Sequence, residues 1–231
     1  MSRNDRPPLS SPESVPLAPP PGFAARLEAT GVQLAIGQLE QLGDFLARLL
    51  AMNAHMNLTG IREPDQAWER HIFDSLTLMP LLADLGPRSR LVDVGSGGGL
   101  PGIPLAIARP DLRVTLVEST RKKAAFLTSV SEGLGLANVS VRAERAEHLP
   151  AGGLGGSFDA ATARAVARLS LLIPLTVPLV KPGGLVLLIK GQRAEEELAD
   201  AAAVLTRHRA LHRETVPTPT GRIVVLERER R

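Results

Sequence analysis

Asp93 and the glycines Gly95, Gly97, Gly98, Gly99 and Gly102 fall within ten residues of one another, in Leu-Val-Asp-Val-Gly-Ser-Gly-Gly-Gly-Leu-Pro-Gly. An apolar run enters the glycines, and Ile-Pro-Leu-Ala-Ile-Ala leaves them with a helical pattern. A strand, a glycine turn and a helix bring backbone close to a ligand where side chains would block it. A second acidic residue, Glu118, closes Val-Thr-Leu-Val, 23 residues beyond Gly95. That spacing suits a carboxylate holding ribose hydroxyls. Ala146 and Glu147 follow a third apolar segment. Cysteine is absent, which excludes disulfides, thiolate metal sites and a cysteine nucleophile.

Two cofactor classes use such a turn. Gly97-x-Gly99-x-x-Gly102 formally satisfies the dinucleotide fingerprint, so a nicotinamide-dependent oxidoreductase is one reading. Asp93 argues against it, because a carboxylate beside a pyrophosphate is repelled. S-adenosyl-L-methionine carries a sulfonium and an ammonium instead, and an acidic residue suits both. Asp93-x-Gly95-x-Gly97-x-Gly99 matches the acidic loop of class I methyltransferases. Glu118 serves either cofactor equally.

Absences sort the methyl acceptor. Cytosine C5 chemistry attacks through a cysteine. Methylation of exocyclic amines commonly uses (Asp/Asn)-Pro-Pro-aromatic after the fourth strand, where this chain reads Phe-Asp-Ala-Ala-Thr-Ala-Arg-Ala, 158–165. No carboxylate cluster suggests a metal, so none is expected. A lone-pair acceptor such as guanine N7 needs no general base. Its methylation rests on in-line positioning and on hydrogen bonds to the base edge.

The elements that must position these residues fall into three stretches. Residues 1–22 hold seven of the 19 prolines and read as a loose tail. Residues 23–86 read as a helical cap: a short helix from Phe23, a long amphipathic one reaching Met56, and a third opened at Asp65 as cap. Residues 87–231 read as a cofactor-binding domain. Its expected strands are 90–94, 113–117, 139–142, 158–162 and 185–189, with helices at 101–108, 119–134, 169–180 and 195–206, and two closing strands at 208–216 and 222–227. This predicts an α/β fold, a Rossmann-like doubly wound sheet with its last strand antiparallel. Net charge is only +3, yet the isoelectric point is about 9.9, which is compatible with a polyanionic partner. With five Phe, one Trp and no Tyr, stacking platforms for single-stranded RNA are few. An RNA target would be read through charge and shape. No apolar run reaches membrane-spanning length and the start lacks a signal-peptide pattern, so a cytoplasmic location is expected.

Several ordered segments resemble one family, the bacterial small-subunit ribosomal RNA guanine-N7 methyltransferases of the glucose-inhibited division protein B type. They are Asn53-x-x-x-Asn57-Leu58-Thr59, His71-x-x-Asp74-Ser75-Leu76, the loop Asp93–Gly102 with its Leu-Pro-Gly ending, Glu118-Ser119-Thr120 with Arg121-Lys122-Lys123, Arg164-Ala165 and Lys190-Gly191. Met52 stands where that family usually has Trp. The likeness covers roughly residues 35–227. It implies S-adenosyl-L-methionine as methyl donor, S-adenosyl-L-homocysteine as product, and 16S rRNA or a small-subunit intermediate as partner. The implied target is one guanine of the decoding region, guanine 527 in standard rRNA numbering. It also implies a cofactor site of Gly95, Leu100, Glu118, Ser119, Thr120, Ala146, Glu147 and Arg164.

Physical roles follow as expectations. Asp93, Gly95 and Gly97 face the methionine end, Leu100 packs beside it, and Glu118 takes the ribose. Arg164 binds the cofactor carboxylate, guanine O6 or a phosphate. Asn57, His71, Arg164 and Lys190 are candidate substrate-positioning residues. Asn57 and Asp74 read equally as local caps, His71 as a core histidine, and Lys190 as a solvated lysine. Arg121, Lys122 and Lys123 suggest a phosphate-facing patch. No membrane partner is expected, and the protein is expected to act as a monomer. Other readings stay open: a class I methyltransferase for another RNA, a small molecule or a protein, and an idle RNA-binding module that senses the cofactor.

Overall fold

Buried strands on both faces of a sheet read as near-continuous apolar runs, and this chain has them at regular intervals. In the computed structural model, which describes residues 15–164 and 167–230, they form one seven-stranded sheet. The strands are β1 (Arg90–Val94), β2 (Arg113–Val117), β3 (Val139–Arg142), β4 (Phe158–Arg164), β5 (Val180–Lys190), β6 (Ala210–Pro217) and β7 (Arg222–Arg228). Their order is β3-β2-β1-β4-β5-β7-β6. The first five run parallel, and β7 enters antiparallel between β5 and β6. The fold is α/β with the last strand antiparallel.

Alternation along each strand divides the core between the two faces. Leu91, Ala160, Leu187 and Val225 face one side, and Val92, Ala161, Val186 and Val224 the other. The first face is covered by α2 (Gln38–Met56), α5 (Gly102–Ala108) and α6 (Arg121–Gly133), whose Phe45, Leu49, Leu105 and Leu127 join the same cluster. The second is covered mainly by α7 (Leu169–Thr176), with α8 (Ala194–Asp200) and α9 (Ala202–His208) beside it.

Within α2, Leu42, Phe45, Leu46 and Leu49 recur at helical spacing and are fully buried. Ahead of it lies α1 (Phe23–Glu28), whose Phe23 ring sits edge-on to Trp68 at 4.9 Å. Next come α3 (Pro64–Ala67), a π-helical stretch (Trp68–Phe73) and α4 (Asp74–Leu76) as one unbroken helical run. The cap and the sheet share one hydrophobic core.

Several expectations shift. The tail expected over 1–22 lies outside the described residues as far as 14. From Leu17 onward the chain is on the fold, with the Leu17 N–H donating to the Gly43 carbonyl at 3.1 Å. Asp65 is not the cap: Glu63 takes that position, Pro64 follows, and Asp65 stands in the first turn. The fifth strand begins at Val180, because Val180 pairs with Phe158 before Lys181–Gly184 bulge out and Leu185 rejoins opposite Ala160. The helix expected over 195–206 is two, α8 and α9, meeting at the buried Ala201.

Candidate functional site

The glycine turn lies at the carboxyl end of β1, where open α/β sheets bind ligands. Gly95, Gly97 and Gly99 have φ of 72°, 55° and 94°, a left-handed region that side chains other than Asn and Asp rarely enter. The glycines divide two tasks. A Cβ on Gly98 would come within 2.8 Å of Leu49, and one on Gly99 within 2.7 Å of Ile103. A Cβ on Gly102 would meet Leu116 at 2.3 Å and the Asp93 carboxylate at 2.8 Å. These three let α2, α5 and β2 close on the turn. A Cβ on Gly97 would meet nothing nearer than the Gly95 carbonyl oxygen at 3.8 Å, so that position opens on free space.

Asp93 serves the turn from beneath. Its side chain is fully buried; Oδ2 accepts the Gly102 N–H at 3.2 Å and Oδ1 accepts from Thr162 Oγ1 at 3.2 Å. Burial pushes its carboxyl up to about 6, while hydrogen bonds and the Arg164 charge pull the other way. The expectation that Asp93 faces the cofactor is therefore corrected: with no exposed surface it ties the start of α5 to β1 and β4. Glu118 is the carboxylate beside the open space. Its Oε2 accepts the Gly97 N–H at 3.0 Å and its Oε1 the Thr120 N–H at 2.7 Å. A carboxylate accepts about four hydrogen bonds, which leaves capacity for two ribose hydroxyls.

Ser119 and Thr120 are exposed next to it, and Thr120 is the N-cap residue of α6. Ala146 is buried and Glu147 exposed in a short 3-10 turn after β3, across the same edge. Leu100 is buried at the end of the turn. Arg121 and Lys122 are exposed and Lys123 half-buried, and none of the three forms an ion pair among the described residues.

The other wall, at the ends of β4 and β5, is held by charged and polar side chains from distant parts of the chain. Arg164 donates from Nη1 to the Arg70 carbonyl and from Nη2 to His71 Nδ1 at 3.2 Å. His71 is 3% exposed. Burial, then the Arg164 charge, lowers its pKa to about 4. The ring is thus neutral near pH 7. Since a guanidinium only donates, Nδ1 accepts, and the proton sits on Nε2, facing Thr59 Oγ1 at 2.8 Å. Asn53 Oδ1 accepts the Thr59 N–H at 2.9 Å. The segments 53–59 and 71–74 therefore converge on Arg164. Asp74 is buried, with its carboxyl raised chiefly by burial, and accepts the hydroxyl of Thr220 from the β6–β7 turn. Arg70 Nη1 reaches the Thr220 carbonyl at 3.2 Å.

Two more candidate substrate-positioning residues are Lys190 and Asn57. Lys190 is neither solvated nor free to reach a substrate. Its side chain is 8% exposed and pairs with Glu197 at 2.8 Å and the Ala167 carbonyl at 2.6 Å. Asn57 ends α2 in the left-handed conformation, φ 49°, with its N–H bonded to the Asn53 carbonyl. That bond is made by the backbone, and Asn57 is exposed. Ala165 lies outside the described residues. Residue types alone did not single out Thr59, Arg70, Thr162, Glu197 and Thr220, whose partners lie 6 to 150 residues away.

Among the described residues no group of three His, Cys, Asp or Glu side chains could hold a metal ion. No helix there is long and apolar enough to cross a membrane.

A family model described as rRNA small subunit methyltransferase G matches residues 38–222. The ribosomal RNA small subunit methyltransferase G of Sorangium cellulosum is 64% identical over 228 residues, 99% of this chain and 95% of that protein. The protein of the same name from Burkholderia mallei is 40% identical over 222 residues, 94% and 93% of the two chains. Solved structures share the fold at lower identity. One is the geranyl diphosphate C-methyltransferase of Streptomyces coelicolor, with TM-score 0.53 and 17% identity over 67% of this chain and 78% of that one. Another is the precorrin-6y C5,15-methyltransferase of Geobacter metallireducens, with TM-score 0.51 and 16% identity over 68% and 87%.

Proposed function

The chain belongs to the rRNA small subunit methyltransferase G family, and on that premise we propose that its crevice moves a methyl group from S-adenosyl-L-methionine to N7 of one guanine in the decoding region of 16S rRNA. The cofactor fits the residues present. Gly97 offers a backbone surface that a Cβ would fill, and Glu118 keeps acceptor capacity beside it. When bound, the cofactor supplies a methyl on a sulfonium, transferred by in-line displacement.

The observation that carries the choice of acceptor is the state of the titratable groups around Arg164. His71 is neutral and both its ring nitrogens are engaged, Asp74 and Asp93 are buried and hydrogen-bonded, and Lys190 is paired. None of them is placed as a general base. This favours an acceptor with a lone pair already available, and guanine N7 has one and loses no proton on methylation. Arg164 uses two of its five donors inside the protein. The remainder serve the cofactor carboxylate or guanine O6, and O6 is the edge through which a guanidinium can hold the base without opposing the new positive charge. Arg121 and Lys122, exposed at the start of α6, face rRNA phosphates. Both walls of the crevice come from one chain, which supports action as a monomer. An rRNA substrate supports a cytoplasmic location.

The test supplies labelled S-adenosyl-L-methionine with small subunits lacking the modification, with naked 16S rRNA and with large subunits. Label is then mapped by N7-specific strand cleavage. Label confined to one guanine N7 of the small-subunit RNA is the expected result. Label elsewhere, or in no RNA, rejects the proposal.

A further inference from the structure

After Arg164 the chain is described again from Ala167, and α7 begins at Leu169. Two side chains from other elements grip this stretch. Lys190, closing β5, donates to the Ala167 carbonyl at 2.6 Å and pairs with Glu197 Oε2 at 2.8 Å. The same oxygen accepts the Leu169 N–H at 3.0 Å. One carboxylate from α8 thus holds the first residue of α7, together with the ammonium that holds the residue two before it. Burial acts to raise the Glu197 carboxyl, but Lys190 and the Leu169 N–H outweigh it and keep it below the usual range. Glu195 and Glu196, its neighbours, are exposed, whereas Glu197 is half-buried.

This grip lies on the acceptor side. The open turn and Glu118 stand at the ends of β1 and β2, with Ala146 and Glu147 after β3, so the cofactor residues occupy one half of the sheet edge. In-line transfer puts the acceptor on the other half, beyond β4 and β5. We propose that Glu197 is a positioning residue for methyl transfer: through Lys190 and the Leu169 N–H it fixes the segment Ala167–Leu169, against which the acceptor base is set. It touches neither cofactor nor base. The proposal rests on the methyl-transfer reading of the crevice.

The test uses the full-length protein. Turnover of small subunits is measured with labelled cofactor, and cofactor affinity separately by calorimetry. Glu197→Ala is expected to lower kcat about tenfold or more, as misplacement by about an ångström does, while cofactor Kd stays within about twofold. Glu197→Gln keeps an acceptor for Leu169 but loses the charge facing Lys190. It is expected to melt like the wild type and lose about threefold in kcat. The double variant Lys190→Gln/Glu197→Gln should fall no further than the worse single variant, because the two side chains act as one unit. Wild-type kcat in both Glu197 variants, a loss confined to cofactor affinity, or multiplying losses in the double variant would overturn the proposal. If Glu197→Ala does not fold, Glu197→Gln and the double variant decide. If wild-type protein leaves small subunits unlabelled, the acceptor reading fails instead, and the same variants assayed on whichever substrate takes the label decide the role of Glu197.

Discussion

The two walls of the crevice are built by different means. At the ends of β1 and β2 the wall is backbone: three left-handed glycines, N–H groups turned toward Glu118, and one glycine position left open. At the ends of β4 and β5 it is charge: Arg164 braced by His71 and the Arg70 carbonyl, Asp74 bonded to Thr220, and Lys190 paired with Glu197. The first wall is assembled within about 30 residues of sequence and the second from both ends of the chain. On the proposed reading, the methyl donor needs only a local turn, whereas the acceptor needs side chains brought together from afar.

The contrast predicts that the two walls fail differently. The largest effect is expected from Arg164→Ala on the charged wall. Loss of an aimed, charge-assisted donor should cut methyl transfer by about 10²–10³-fold, measured as single-turnover rate at saturating cofactor. An unchanged rate would remove Arg164 from the acceptor wall. On the backbone wall, Gly97→Val should weaken the cofactor by roughly tenfold or more in calorimetry, since it fills the open position and forces a β-branched residue to φ 55°. Gly102→Ala should act on stability instead. Its Cβ has no room beside Leu116 and Asp93, so about 1–3 kcal/mol is lost, or roughly 2–10 °C in melting temperature. If the two glycine variants gave the same profile, the division between open and packed glycines would be wrong.

A further effect concerns pH. His71 is lowered from 6.5 to about 4, so between those values the unfolded chain binds a proton that the folded chain does not. The stability contributed by this residue therefore rises with pH across that window. Asp93, raised from 3.8 to about 6, works the other way: the folded chain keeps a proton that the unfolded one has released, and stability falls as pH rises from 4 to 6. His71→Gln removes the rising contribution alone. Compared with the wild type in urea titrations, the variant should lose ground between pH 4 and 6.5, by on the order of 2–3 kcal/mol. A constant gap would mean that the imidazole is not held neutral.

The same contrast explains what could be read from the sequence. The bounds expected for β1, β2 and β3 match, because each is a short apolar run between turn residues, and the glycine turn is a contiguous signal. Asp93 was legible as a carboxylate at the end of a strand but not as a buried one, because Gly102 and Thr162 reach it only once β4 lies beside β1. Lys190 carried the right residue type for positioning a substrate, and only its partner Glu197 shows that its charge is engaged. Nothing in Ala-Glu-Glu-Glu-Leu distinguishes Glu197 from its two neighbours until α8 is packed. The π-helical stretch, which adds a residue to the turn carrying Arg70 and His71, had no local signature either.

The closeness of α2 to the glycine turn has a consequence in time. Gly98 and Gly99 lack side chains so that Leu49, Phe45 and Leu127 can meet over them. The helix bearing Phe45 and Leu49 ends at Met56, about seventy residues before Leu127 leaves the ribosome. At roughly 5–20 residues per second, its apolar stripe waits several seconds for the surface it will cover. During synthesis this stripe has only the cap to pack against, and it meets the glycine turn only when that turn has been made.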